Sequence, residues 1–168
     1  MQLRESAASL SGVCRSVEAR VKDIAELSEL VLPIVLLPAF DSLPEVASRP
    51  SIRHEAAAYQ LREERVVVNE SIFPSFDADV AQAVLAHEIG HAICHRNAIM
   101  QRPAYKLLSE CIVADLLACK WSFVEGLRKE RLQSYGPKYC QILDVWQDED
   151  QFVDRMLTYY RQRLSGLR

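Results

Sequence analysis

Residues 87–95 read His87-Glu88-Ile89-Gly90-His91-Ala92-Ile93-Cys94-His95, and three of the chain's four histidines fall within those nine positions. The surrounding segment, DVAQAVLAHEIGHAICHRNAIM, carries apolar residues at 80, 84, 85, 89, 92 and 93, which predicts a helix over 77–98 with Ser75 or Asp77 as its cap. Residues four apart on a helix differ by about 40° in direction and about 6 Å in rise. His87 and His91 can therefore close on one divalent ion from the same face. Glu88 turns about 100° from His87, where its carboxylate can take a proton from metal-bound water without touching the ion.

Zn2+ held by three protein ligands keeps a fourth position for water and brings that water's pKa toward ~7, giving a nucleophile at neutral pH. Glu88 is then the expected general base, later delivering the proton to a leaving amine. Two histidines do not complete such a site. His95 lies about 12 Å along the axis from His87, too far to share the ion, and reads as a group behind the ligands, an oxyanion donor or a polar residue near the helix end.

A second helix, predicted over 104–121, holds the other candidates in Ser109-Glu110-Cys111-Ile112-Val113-Ala114-Asp115-Leu116-Leu117-Ala118-Cys119. Glu110 follows Lys106 by four residues and reads as half of a solvated pair. Asp115 and Cys111 share a face with Leu108, Ile112, Ala118 and Cys119. An Asp on an apolar stripe needs a charge partner or a metal, so Asp115 is expected either as the third ligand or as the acid orienting a ligand histidine. Cys111 would serve as a thiolate ligand, and equally as a small buried residue.

Working outward, residues 3–30 carry apolar positions at 10, 13, 17, 21, 24, 27 and 30, the stripe of a long amphipathic helix. The Pro-punctuated stretch after it allows a short strand at 34–37. Ala57 to Leu61 and Arg65 to Asn69 (RVVVN), around a charged turn, predict a hairpin. An exposed edge on Val66 to Asn69 would accept an extended peptide. Downstream, 124–132 and 150–164 read as helices separated by a break at Tyr135-Gly136-Pro137. Tyr105, Tyr135 and Tyr139 are all able to donate to an oxyanion, and spacing selects none of them. The expected fold is α+β: one helix-rich domain over 1–168, with a small, about three-stranded sheet beside the His87–His91 helix.

Composition sets the outer bounds. The 168 residues carry 20 Lys+Arg against 23 Asp+Glu, a net charge of −3, with 49% apolar and 26% charged residues. That mixture excludes disorder and supplies no global attraction for nucleic acid or anionic lipid. The longest apolar stretch, Leu30 to Phe40, is eleven residues broken by Pro33 and Pro38, well short of the ~20 that cross a bilayer. No signal peptide is visible. Five cysteines without a CxxC read as reduced thiols, mostly buried. The expectation is a cytoplasmic protein with no membrane and no nucleic-acid partner.

HEIGHAICH, preceded by the Val-rich strand and followed by Ala114-Asp115-Leu116-Leu117-Ala118, resembles the ImmA/IrrE family of small metallopeptidases over about residues 55–120. The resemblance implies a zincin-like domain and a zinc endopeptidase with His87 and His91 as ligands and Glu88 as base, acting on a protein or peptide substrate such as a regulatory protein. In that family a Glu three residues before the Ala is the third ligand. That position here is Cys111, and Glu110 is one residue out of register. The alternative is a catalytically silent, zinc-stabilised binding module.

Overall fold

The computed structural model describes residues 12–21 and 32–166. Residues 12–21 are helical (α1); of the expected stripe Val17 and Val21 are buried and Val13 partly so, with Cys14 buried beside them, and the rest of the 3–30 helix lies outside the described residues. The three strands are β1 (Ile34–Leu37), β2 (Ala57–Gln60) and β3 (Arg65–Asn69). β3 is central: β1 pairs with it in parallel, Ile34 opposite Val66, and β2 antiparallel, Ala57 opposite Val68. Val66, Val67 and Val68 are fully buried, as suits a strand covered on both faces. The expected peptide edge at Val66 to Asn69 is therefore corrected: β3 is occupied on both sides, and β2 is the edge strand beside the helices. The β1–β3 parallel pair needs a crossover, and its 3-10 turns at Pro44–Ala47 and Pro50–His54 cover one sheet face with Phe40, Leu43, Val46 and Ile52.

The other face packs on α2 (Ala78–Arg96), which starts where expected: the Asp77 side chain accepts from Val80 N–H at 3.0 Å. α2 is buried nearly all round, which makes it the axis of the domain. The next helix is shorter than its apolar content suggested. Pro103 opens a 3-10 turn (Pro103–Tyr105), the chain turns extended at Ser109, and α3 spans only Glu110–Lys120.

Backbone contact sets how close the helices lie. A Cβ added at Gly90 of α2 would meet Ala114 Cα and O at 3.0 Å, so α2 and α3 touch where the sequence has its smallest residues. α4 (Val124–Ser134) crosses the start of α2 at Gly126, whose Cβ would lie 1.9 Å from Asp79 O. Gly136, at φ 85, breaks the chain before α5 (Pro137–Leu143), and α6 (Glu149–Ser165) buries Phe152 and Met156. The result is helix-rich α+β with a three-stranded mixed sheet. Among the described residues no helix is long and apolar enough to cross a membrane.

Candidate metal centre

The α2–α3 contact decides which side chains meet. Ala114 sits against Gly90, so residues one position after and three before it, Asp115 and Cys111, are carried to the faces of His87 and His91. His87 Nε2 and His91 Nε2 lie 3.1 Å apart, and Cys111 Sγ is 3.8 Å from His91 Nε2. All three donor atoms lie within 4.8 Å of one another. A tetrahedral zinc site, with Zn–N near 2.05 Å and Zn–S near 2.3 Å, has edges of about 3.3 Å (N···N) and about 3.6 Å (N···S). Two imidazoles and a thiolate at these spacings fit such an ion.

The far nitrogens support the same orientation. His87 Nδ1 is 2.6 Å from Asp115 Oδ1, and His91 Nδ1 is 2.5 Å from Glu110 Oε1. A carboxylate on Nδ1 keeps the proton there and leaves the Nε2 lone pair for a metal. Asp115 is fully committed to this role: Arg131 Nη2 and Nε donate to its two oxygens at 2.8 and 2.9 Å, and Tyr139 OH donates at 2.6 Å. Of its two expected roles, third ligand or orienting acid, its geometry is that of the second, and it lies outside the three converging donors.

Charge follows the same contacts. Burial alone would raise the Asp115 carboxyl, but the Arg131 guanidinium and His87 hold it well below the usual carboxylate range. Burial opposes a charge on His87, and Asp115, together with Cys111 and Glu88, more than offsets it, pushing the imidazole up to about 10. Hydrogen bonding to His87 and His91 draws the Cys111 thiol down to about 6, favouring the thiolate that a metal requires. Cys111 is the exposed one of five free cysteines; the other four are buried.

Glu88 points off the ligand face, as the helical step requires, and its Oε2 accepts from Tyr59 N–H of β2 at 2.8 Å. The edge strand thus pins the candidate base, and a cleft of about 590 Å³ runs between β2 and helices α2, α3 and α4. Ala57, Tyr59, Val84, Leu127, Glu130 and Tyr135 are among its lining residues.

The solvated Lys106–Glu110 pair is corrected: Lys106 belongs to the turns before α3, so no helical face joins the two, and Glu110 reaches His91 and His95 instead. Tyr139 spends its hydroxyl on Asp115, and Tyr105, buried, donates to Glu149; Tyr135 alone of the three lines the cleft. Arg131 was not anticipated. Asp115's need for a partner was legible, but its partner is 16 residues away on a helix whose charged composition marks no one residue.

A histidine pair one turn apart, a neighbouring glutamate and a third donor from the following helix define a metallopeptidase-type centre. Residues 21–145 match the model of peptidase family M48, well over half of the chain, and the chain belongs to that family. The match supports the metallopeptidase relationship that the sequence implied, and the family it names is M48 rather than ImmA/IrrE. No curated protein and no solved structure gave a significant match.

Proposed function

We propose that the chain is a zinc-dependent endopeptidase with His87, His91 and Cys111 as the metal ligands and Glu88 as the general base. The observation that carries the reading is the convergence of two Nε2 atoms and one thiol, each histidine backed by a carboxylate, beside a glutamate held on the edge strand. A divalent ion bound there supplies acidified water and a Lewis acid for the scissile carbonyl. Glu88 takes the water's proton on the oxygen not held by Tyr59 N–H and passes it to the departing amine. Asp115 keeps His87 in the ligating tautomer, and β2 offers to an extended substrate the part of its cleft-facing edge that Glu88 does not hold. A regulatory protein as substrate follows from the ImmA/IrrE resemblance, and a cytoplasmic location from the sequence.

Glu88→Gln in the zinc-loaded chain is expected to cut hydrolysis of a quenched-fluorescence peptide library by roughly 10²–10⁴-fold with zinc stoichiometry unchanged. Cobalt substitution identifies the third ligand: a thiolate-to-cobalt absorption band should be present in the native chain and absent in Cys111→Ala. Full zinc occupancy with no cleavage of any peptide would favour a silent binding module.

A further inference from the structure

Glu110 is outside the three converging donors, yet both its oxygens are engaged at the centre. Oε1 lies 2.5 Å from His91 Nδ1 and Oε2 lies 3.0 Å from His95 Nε2. The His95 ring in turn lies 5.9 Å from the Tyr59 ring at 31°. Tyr59 is the residue whose N–H holds Glu88. We infer that Glu110 is the positioning residue of the second ligand histidine, with His95 as the clamp that keeps the carboxylate off the ion.

The inference rests on the metal-centre reading and adds a division of labour between neighbouring residues. Glu110 and Cys111 open α3, and one helical step of about 100° separates them. Cys111 Sγ is directed at His91 Nε2 while the Glu110 carboxylate reaches round to Nδ1. To become a ligand, Glu110 would have to abandon both imidazoles. Where it stands, it accepts the Nδ1 proton of His91, fixing the tautomer and turning the ring so that Nε2 faces its counterpart on His87. His95, eight residues beyond His87 and out of reach of a shared ion, acquires a role through this contact: it occupies the oxygen that His91 leaves free. The Glu110 side chain is 30% exposed, so unlike Asp115 it is not locked into the core. Its effect should fall on the metal rather than on the fold.

Zinc affinity of the full chain, measured by competition with a chromophoric chelator, tests this. Glu110→Ala should weaken binding about 10–100-fold. Glu110→Gln, whose amide oxygen still accepts from Nδ1–H, should recover most of the loss, with the thiolate-to-cobalt band intact in both variants. Nitrogen-15 spectra of the zinc-loaded chain should show His91 protonated at Nδ1. Unchanged affinity in Glu110→Ala would overturn the proposal and leave a surface ion pair. Equal losses in both variants with an altered cobalt spectrum would also overturn it, making Glu110 a ligand. Failure of the unsubstituted chain to bind zinc would sink the metal-centre reading itself, and this inference with it, before any variant is compared.

Discussion

His87 and His91 stand one turn apart on the same helix and each gives Nδ1 to a carboxylate, but the two carboxylates live in different surroundings. Asp115, 1% exposed, is surrounded by His87, Arg131 and Tyr139; Glu110, 30% exposed, holds His91 and His95 on the cleft wall. A buried charge that loses a partner leaves the others uncompensated, whereas a half-exposed one can be replaced by water. One arm of the centre is therefore part of the core, and the other is an attachment to it. The same chemical motif, a carboxylate behind an imidazole, does both jobs because the dielectric around it differs.

The largest expected effect separates the arms. Asp115→Ala leaves Arg131, whose side chain is 13% exposed, buried without its main counter-charge. The expected cost is about 3–5 kcal/mol of unfolding free energy, read by urea denaturation of the metal-free chain. Glu110→Ala should cost under about 1 kcal/mol in the same experiment. Equal losses would erase the distinction between a core arm and an attached one.

Local signals of this centre are legible in the sequence, and the placement of its helices is not. The α2 helix, its Asp77 cap and the His87–His91 spacing are local, so periodicity was enough to expose them. Asp115's need for a partner was legible because an acid on an apolar stripe is a local contradiction. Arg131 and Tyr139, which resolve it, are brought in by α4 and α5, and helix placement has no local signature. At Glu110 composition misleads for a different reason: PAYKLLS looks helical, yet Pro103 starts a 3-10 turn and α3 begins only at Glu110. The run of three valines carries the signal of a strand buried on both faces, whereas its central position is set by its two paired neighbours and has no local signature. The sheet edge that faces the cleft therefore belongs to β2.

Gly90 tests whether helix spacing is what brings the arms together. Gly90→Ala favours helix by about 1 kcal/mol, but its methyl would press on Ala114 Cα and O at 3.0 Å. Overpacking usually costs about 1–3 kcal/mol, so the balance expected is a net loss of up to about 2 kcal/mol. Because the shift separates α2 from α3, zinc affinity should fall as well, and by more than in a variant of equal stability altered elsewhere in the core. A stabilised chain that binds zinc normally would mean that the helices yield at this contact without moving the ligands.

The smallest effect comes from a third carboxylate that has partners but faces no ligand group. Glu149 receives hydrogen bonds from Lys120 and Tyr105 across α3, α6 and the turn at Pro103. Burial raises its carboxyl, and these two donors outweigh that, leaving it below the ordinary value. A carboxyl whose pKa is depressed on folding adds stability that is fully present above its unfolded pKa, ~4.3, and is lost as pH falls through the lower folded value. With Glu149 and Lys120 each 37% exposed, the contribution is at most about 1 kcal/mol, or about 2–4 °C of melting temperature. Glu149→Gln should therefore melt slightly below the native chain at pH 7, and the gap should close below about pH 4. Its zinc affinity should match the native value throughout. If it does not, metal binding in this fold responds to any loss of stability, and the affinity losses expected at Glu110 no longer report on the orientation of His91.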